Sequence, residues 1–256
     1  MDHHTILILL GAGVLAGILS SIIGGAAVVS YPALLAAGLP PQIAVASNLF
    51  AVMPGTLIAA FADRTQLPPL NRAFAGLVFA SITGAAAGAI LLLFTPVRVF
   101  EVLVPLLLGF ATLVFAYSGK LSAWLKSRAK ARGHDITFNL TSLKMLLPVS
   151  FYGGYFGAGV GVLLLGVFTL ATRGDYRSAN VTKNFVTGLN SMTASTLFAV
   201  QGAVAWPQTL TMMAGCIAGG LLGSYIARLI PQWIMRIFVV AMGALLTAAF
   251  AWRYWF

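Results

Sequence analysis

Long apolar stretches separated by short polar breaks dominate the chain. A helix that crosses a membrane needs about 20 mostly apolar residues. The breaks between the stretches carry proline, glycine or charge, and only the segment at about 119–142 is long and polar. The pattern predicts an all-α integral membrane protein with a single transmembrane domain. Its eight hydrophobic segments run approximately over 5–37, 42–62, 72–95, 98–118, 143–172, 178–200, 208–230 and 233–252.

Composition excludes the main alternatives to a membrane protein. The 256 residues include 15 Lys+Arg and 5 Asp+Glu, so charged residues make up 8% of the chain, against about 25% in a soluble domain. Apolar residues make up 60% of the chain, counting Ala, Val, Ile, Leu, Met, Phe, Trp, Tyr and Cys. This fraction excludes both a soluble globular enzyme and a disordered chain. Helices are favoured over a barrel, because barrel strands alternate apolar and polar residues. With one cysteine, Cys216, the chain cannot form an internal disulfide or a thiolate metal cage.

The chain matches itself at an offset of 135 residues. Gly24 aligns with Gly159 and Pro96 with Pro231, and one gapless register holds for more than 100 residues. The glycine and proline positions carry the match, because chance agreement of apolar residues is common in such a composition. We therefore predict two structural repeats, at about 5–118 and 143–253, joined by the basic linker 119–142. Internal repeats of this kind are typical of secondary transporters.

The first segment of each repeat is interrupted by glycines near its middle, at Gly24-Gly25 in the first copy and across 153–161 in the second. A continuous helix over 5–37 would be about 50 Å long, whereas the hydrocarbon core is about 30 Å thick. The pattern leaves two alternatives open, a re-entrant hairpin of two half-helices and a single span. With hairpins, three crossings remain per repeat, and an odd number inverts the second copy relative to the first.

The distribution of positive charge tests these alternatives. If the linker is cytoplasmic, hairpins place 12 of the 15 Lys and Arg residues inside and 2 outside, whereas eight single crossings place 9 inside and 5 outside. The positive-inside rule therefore favours two inverted repeats with both termini periplasmic. The net charge of +10 is explained by these loops, and we expect no nucleic-acid partner.

Lys183 is the one basic residue assigned to neither side of the membrane, because it lies more than a turn inside the span 178–200 rather than at its end. A charge there costs several kcal/mol unless it is paired or hydrated. Asn180, Lys183, Thr187 and Asn190 follow helical spacing and share one face. A cation with amides and hydroxyls suits a small oxyanion. The alternative is that the lysine stem reaches back to the interface near Arg177.

The glycine breaks are the second candidate for a binding site. Non-helical backbone in hydrocarbon is tolerated only where protein buries it or water reaches it, and a half-helix that begins there directs N–H groups at the cavity. The spacing in Gly13–Gly17 and Gly84–Gly88 is more typical of close helix packing. The repeat counterpart of Lys183 is Asn48. The predicted substrate-binding residues are Lys183, Asn184, Asn190, Thr182, Asn48, Ser47, Gly24, Gly25, Gly157, Gly159 and Gly161.

Motifs for other chemistry are missing from the sequence. Clusters of metal-binding side chains, Walker-type loops and Ser/His/Asp sets are absent, so we expect no metal, no cofactor and no enzymatic activity. A scaffold protein would have no reason to bury Lys183 beside amides. A carrier is favoured, and a channel stays open as an alternative.

Two groups of residues form a recognisable pattern. The second-half group comprises 151–161, Ala179-Asn180, Lys183-Asn184, Phe198 and Gly202 before Trp206. The first-half group comprises a glycine-rich stretch, Pro32, Gly38-Leu39-Pro40 and 44–50. Together they resemble the sulfite exporter TauE/SafE family over nearly the whole chain. In one departure, the first break reads Gly24-Gly25-Ala26-Ala27, whereas the family is often richer in glycine there.

The resemblance implies a multi-pass transporter of the bacterial plasma (inner) membrane. It implies export of a small sulfur-containing anion, sulfite or an organosulfonate, and our hypothesis for the mechanism is alternating access. The expected partners are this anion and the lipid bilayer. The alternative is a channel or carrier for another small organic or inorganic anion. Exact substrate, transport direction, proton coupling and oligomeric state stay open.

Overall fold

The computed structural model describes residues 2–22, 24–131, 140–171, 176–226 and 232–255. Within these ranges the fold is all-helical, with ten α-helices, one short 3-10 helix at Arg64–Gln66 and no strands. The α-helices are α1 (His3–Ile22), α2 (Ala27–Ala36), α3 (Pro41–Ala62), α4 (Arg72–Phe94), α5 (Val97–Ala131), α6 (Leu140–Tyr155), α7 (Val160–Ala171), α8 (Tyr176–Val200), α9 (Trp206–Ile226) and α10 (Gln232–Trp255).

The helices agree with a multi-pass membrane protein. Five stretches in the described part of the chain are long and apolar enough to cross a bilayer. One boundary differs from the sequence prediction, because α5 continues to Ala131 and so includes the first half of the polar segment. Residues 119–131 are rich in alanine, leucine, lysine and arginine, which favour helix even where they are not apolar. The five stretches are His3–Ser21, Pro41–Ala62, Arg72–Phe94, Val97–Tyr117 and Ile237–Trp255.

Both predicted glycine breaks are confirmed. The first separates α1 from α2 and the second separates α6 from α7. Gly24 and Gly159, which the repeat offset aligns, have φ angles of +86° and +77°, in the left-handed region that residues with a Cβ avoid. The helices after the breaks are short. With 10 and 12 residues, α2 and α7 extend about 15 and 18 Å, so neither alone spans a core about 30 Å thick.

Helix packing in the first half has a counterpart in the second. The offset of the sequence match pairs α1 with α6, α3 with α8, α4 with α9 and α5 with α10. In the structure α1 packs against α9, and the equivalent pair, α6 and α4, also packs together. The contact of α3 with α9 likewise corresponds to that of α8 with α4. The helices α3 and α8, and also α5 and α10, each pack against their own counterparts.

Close packing by small residues is confirmed at both predicted motifs. A Cβ added to Gly17 would collide with the carbonyl oxygen of Cys216 in α9. A Cβ added to Gly84 would lie 2.7 Å from the carbonyl oxygen of Leu147 in α6. These glycines therefore allow the backbones of α1 and α9, and of α4 and α6, to approach closely.

Helices α3 and α8 lie antiparallel and are joined at both ends. At the end of α3, Asp63 accepts hydrogen bonds from Arg177 at the start of α8, with distances of 2.8 and 2.7 Å. Near the beginning of α3, Ser47 Oγ accepts a hydrogen bond of 3.1 Å from the backbone N–H of Ala205, which follows α8. Gly188 of α8 lies against Thr56 and Leu57 of α3. Because the helices run in opposite directions, Lys183 and Asn48 are therefore about 20 Å apart along the helix axes, and the structure does not bring them together.

The outer surface of the bundle is largely apolar. Exposed side chains include Leu7 on α1, Phe79 and Phe94 on α4, and Leu106 on α5. Soluble monomers rarely expose large apolar patches. These side chains would contact lipid in a bilayer, which is the expected environment for such a surface.

Candidate functional site

Lys183 lies inside the helix bundle on α8. Only 1% of the residue surface is exposed, and its Nζ is buried with no hydrogen-bond partner among the described residues. The structure does not show the alternative in which the Lys183 stem reaches back to the membrane interface. A side chain that reached the membrane surface would leave Nζ accessible. A buried lysine without an acceptor is unusual, since burial of an unpaired charge costs several kcal/mol.

The predicted polar face of α8 is confirmed as one face of an uninterrupted helix. Besides Lys183, the side chains of Asn180, Thr187 and Asn190 each have a buried polar atom without a hydrogen-bond partner in the described structure. Asn184 and Ser195 add further unpartnered oxygens to the same helix. From 180 to 195 this row extends about 22 Å along the helix axis. Unpartnered polar groups are rare in protein interiors, so a row of them indicates a place for water or a polar ligand.

The equivalent surface of α3 is almost entirely apolar. The repeat offset aligns Asn180, Asn184 and Thr187 with Val45, Leu49 and Val52. The exception is Asn48, which aligns with Lys183. The polar groups of the candidate site are therefore concentrated on the α8 side. The α3 residues at these positions are Val45, Asn48, Leu49 and Val52, all of them buried.

Asn48 is linked to the helix that follows the first break. Its Oδ1 accepts a short hydrogen bond from Ser30 Oγ on α2, and both residues are buried. Sequence reasoning did not identify Ser30. A single serine in the apolar helix α2 carries no periodic signal, and only the packing of α2 on α3 brings it to Asn48.

The second break lies between α8 and α3. A Cβ added to Gly153 would be 3.1 Å from Nδ2 of Asn190, and one added to Gly157 would be 2.7 Å from Cδ2 of Leu49. The Tyr152 hydroxyl donates a hydrogen bond of 2.7 Å to the carbonyl of Ala158 and holds the turn closed. The structure thus brings the second break together with the polar face of α8.

The two breaks also contact each other. A Cβ added to Gly24 would lie 2.9 Å from Cα of Gly161, and the reverse distance is the same. The space directly between these two residues is therefore filled. Gly25 faces elsewhere, because a Cβ there would lie 3.1 Å from the Phe115 ring.

Backbone donors differ among the predicted glycines. The amides of Gly24 and Gly157 donate to the carbonyls of Leu19 and Tyr152 at 3.0 and 3.2 Å, which closes the preceding helices. The amides of Gly159 and Gly161 make no hydrogen bond within the described residues. These two amides are at the beginning of α7, where the helix dipole favours negative charge.

Two predicted hydroxyl groups already have partners. Thr182 Oγ1 donates a hydrogen bond of 2.7 Å to the carbonyl of Ser178 in its own helix. Ser47 Oγ accepts from Ala205 N, as described above. These residues differ from Lys183, Asn184 and Asn190, whose polar atoms have no protein partner in the described structure.

Charge near the ends of α3 and α8 is compensated locally. The hydrogen bonds from Arg177 lower the pKa of the Asp63 carboxyl from its ordinary value. Among the described residues, no group of three or more histidine, cysteine, aspartate or glutamate side chains could hold a metal ion.

The sequence is similar to a known family and to several membrane transporter proteins. The family described as "Sulfite exporter TauE/SafE" matches residues 9–250. A "Probable membrane transporter protein" of Haemophilus influenzae is 29% identical over 94% of this chain and 92% of its own length. The "Probable membrane transporter protein ORF9" of Sinorhizobium sp. is 31% identical over 88% and 84%. "Probable membrane transporter protein YfcA" of Escherichia coli K12 is 25% identical over 94% and 87%.

No solved structure matches the chain significantly. The family match covers nearly all of the sequence, and the relatives align over most of their own length. The chain therefore belongs to the sulfite exporter TauE/SafE family of membrane transporters.

Proposed function

We propose that the protein is a secondary carrier of the bacterial inner membrane that exports sulfite or an organosulfonate by alternating access. The observation that carries this proposal is the buried Nζ of Lys183, which has no protein partner among the described residues. An anion would compensate the ammonium where the protein supplies no carboxylate. The family description names sulfite, and the chemistry of the α8 face fits a small oxyanion of this kind.

The donors of the site are arranged for oxygen atoms. The Lys183 ammonium would bind one sulfonate or sulfite oxygen, and the amide of the neighbouring Asn184 would bind another. Asn190 lies about 10 Å further along α8 and would contact the anion at another point of its path. The free backbone amides of Gly159 and Gly161 would add donors from the second break. Of the remaining predicted site residues, Asn48 would contribute a side-chain amide along the path of the anion. The others would position the helices and breaks around the site, because their hydroxyl or amide groups already have partners; they are Ser47, Thr182, Gly24, Gly25 and Gly157.

The contact between Asp63 and Arg177 supports the inverted topology. If every hydrophobic segment crossed once, these residues would lie on opposite sides of the membrane, whereas their side chains are 2.7 Å apart. The short helices α2 and α7 agree with re-entrant hairpins, because neither is long enough to cross. Helix α1 has 20 residues, enough to cross, but in the proposed topology it enters the membrane without crossing completely and α2 returns the chain to the same side. Each repeat then has three crossings, which place the linker in the cytoplasm and both termini in the periplasm.

Alternating access is supported by the packing of the two halves. In carriers with inverted repeats, one repeat moves against the other around a fixed site near the bilayer midplane. Two observations support such an arrangement: the packing of α1 on α9 recurs as the packing of α6 on α4, and the two breaks contact each other at Gly24 and Gly161. A channel for the same anion would not show counterflow.

The experiment is counterflow in proteoliposomes with radiolabelled sulfite and methanesulfonate, and with sulfate as the comparison. We expect Lys183→Met to reduce counterflow at least about tenfold, because a charge-assisted hydrogen bond is worth about 1.5–3 kcal/mol. Lys144→Met is the matched control, since Lys144 is exposed on α6. Unchanged sulfite and methanesulfonate transport by Lys183→Met would overturn the proposed site. Flux of sulfate alone would support the alternative anion carrier.

A further inference from the structure

The helices around Lys183 contain no carboxylate that could neutralise it. Helix α8 packs against α3, α4, α6, α7 and the 3-10 helix Arg64–Gln66, and none of these carries aspartate or glutamate. Asp63, just after α3, is bonded to Arg177. Glu101 lies on α5, which packs against α3, α7 and α10 and is not among the helices that pack against α8. The other three acidic residues are Asp2 before α1, and Asp135 and Asp175, which lie outside the described residues.

The other titratable groups on these elements are cations or phenols. Arg64, Arg72 and Lys144 are exposed near the ends of their helices. The Tyr152 hydroxyl donates to Ala158, and the Tyr155 hydroxyl lies 3.5 Å from Thr95 Oγ1. On α8 itself the remaining groups are Tyr176 and Arg177 at its start. None of these groups supplies negative charge to Lys183.

This environment links the charge of Lys183 to the presence of an anion. In the empty site an ammonium would be an uncompensated buried charge, whereas the neutral amine is not penalised in this way. A bound anion beside a neutral amine would also be uncompensated. Uptake of both an anion and a proton gives a neutral ion pair, R–NH₂ + H⁺ + A⁻ → R–NH₃⁺·A⁻, in which atoms and charge balance.

We infer that Lys183 binds one proton with each monovalent anion and releases both on the opposite side, so that transport is electroneutral. The inference rests on the proposed function and identifies the proton as the ion that is coupled to anion transport. Reverse transfer follows the same balance, since R–NH₃⁺·A⁻ returns R–NH₂, H⁺ and A⁻. The membrane potential would then neither drive nor oppose the net flux.

Proteoliposomes with a lumenal pH dye and a potential set by potassium and valinomycin test this inference. Methanesulfonate is the probe, because the anion of a strong acid cannot carry the proton itself. We expect about one proton per methanesulfonate, and a net flux that does not change with the potential. Net flux that depends on potential and leaves the lumenal pH unchanged would overturn the inference.

Lys183→Arg provides a second test, because a guanidinium does not release its proton in a protein. We expect this variant to exchange labelled for unlabelled methanesulfonate, while its proton-coupled net flux falls at least tenfold. Lys144→Arg is the matched control and should behave like the native protein. Proton-coupled net flux at the native rate in Lys183→Arg would contradict the inference.

The two proposals fail in different ways. Native protein that exchanges methanesulfonate but moves charge without protons would refute the coupling and retain the carrier. Native protein that exchanges neither sulfite nor methanesulfonate would refute both. If Lys183→Arg does not fold, the ratio of protons to methanesulfonate in the native protein still decides whether transport is coupled to protons, and loss of that coupling in Lys183→Met would assign it to Lys183.

Discussion

Arg177 donates two hydrogen bonds to Asp63, from Nε to Oδ2 at 2.8 Å and from Nη2 to Oδ1 at 2.7 Å. The two residues are 114 positions apart, and their pairing joins the start of α8 to the end of α3. Bidentate geometry fixes the orientation of both groups as well as their distance. The helix that carries Lys183 is therefore held against its counterpart from the other half of the chain.

The side of the membrane at which this pair lies can be measured. With Cys216→Ser as background, we expect Asp63→Cys and Arg177→Cys to react with an impermeant maleimide in inverted vesicles and not in intact cells. Gln201→Cys is the control, because Gln201 is exposed in the turn after α8 and should react in intact cells. Labelling of positions 63 and 177 from opposite sides would refute the inverted topology.

The ion pair also predicts a dependence of stability on pH. Because Arg177 lowers the pKa of Asp63, the pair contributes stability above the unfolded-state pKa, and this is lost as pH falls through the folded-state value. The Arg177 side chain is 66% exposed and the Asp63 side chain 32%. The ion pair therefore contributes less than about 1 kcal/mol to stability, and salt screens it. Asp63→Asn should melt slightly earlier than the native protein near neutral pH and equally at strongly acidic pH. A difference that grows on acidification would contradict this assignment.

Packing at the α4–α6 interface predicts a large effect from one added methyl group. A Cβ at Gly88 would collide with the carbonyl oxygen of Phe151 and lie 2.8 Å from Tyr155 N. We expect Gly88→Ala to lower the free energy of unfolding by about 1–3 kcal/mol in detergent. Gly11→Ala is the control, since nothing lies within 4 Å of a Cβ there. Equal stability of the two variants would mean that α4 and α6 do not approach this closely.

The polar face of α8 should be accessible to water during transport. Thr187 has an unpartnered hydroxyl, whereas its neighbour Val186 is fully buried in an apolar cluster with Leu77 and Leu164. With Cys216→Ser as background, we expect Thr187→Cys to react with an anionic methanethiosulfonate at least about tenfold faster than Val186→Cys, since unpartnered polar groups at membrane depth line wet cavities. Added methanesulfonate should slow this reaction. Equal rates at both positions would contradict a path along this face.

The sequence alone predicted the features that depend on local physics. Apolar length predicts membrane helices, because backbone groups in hydrocarbon must be satisfied within each helix. Glycines in the middle of long apolar segments predict breaks, since only glycine adopts the positive φ found at Gly24 and Gly159 without strain. Lys183 stood out for the same kind of reason, because a charge within an apolar span is costly wherever the helix packs.

Contacts between distant parts of the chain required the tertiary structure. Ser47 and Thr182 resemble Lys183 as polar residues in apolar helices, yet both bond to backbone groups while Lys183 does not. The link from Ser30 to Asn48 also depends on packing, because short polar side chains give no sequence signal of their partners. The amino-acid sequence determines which residues are costly to bury. Only the packed helices decide whether a protein group or a ligand must compensate them.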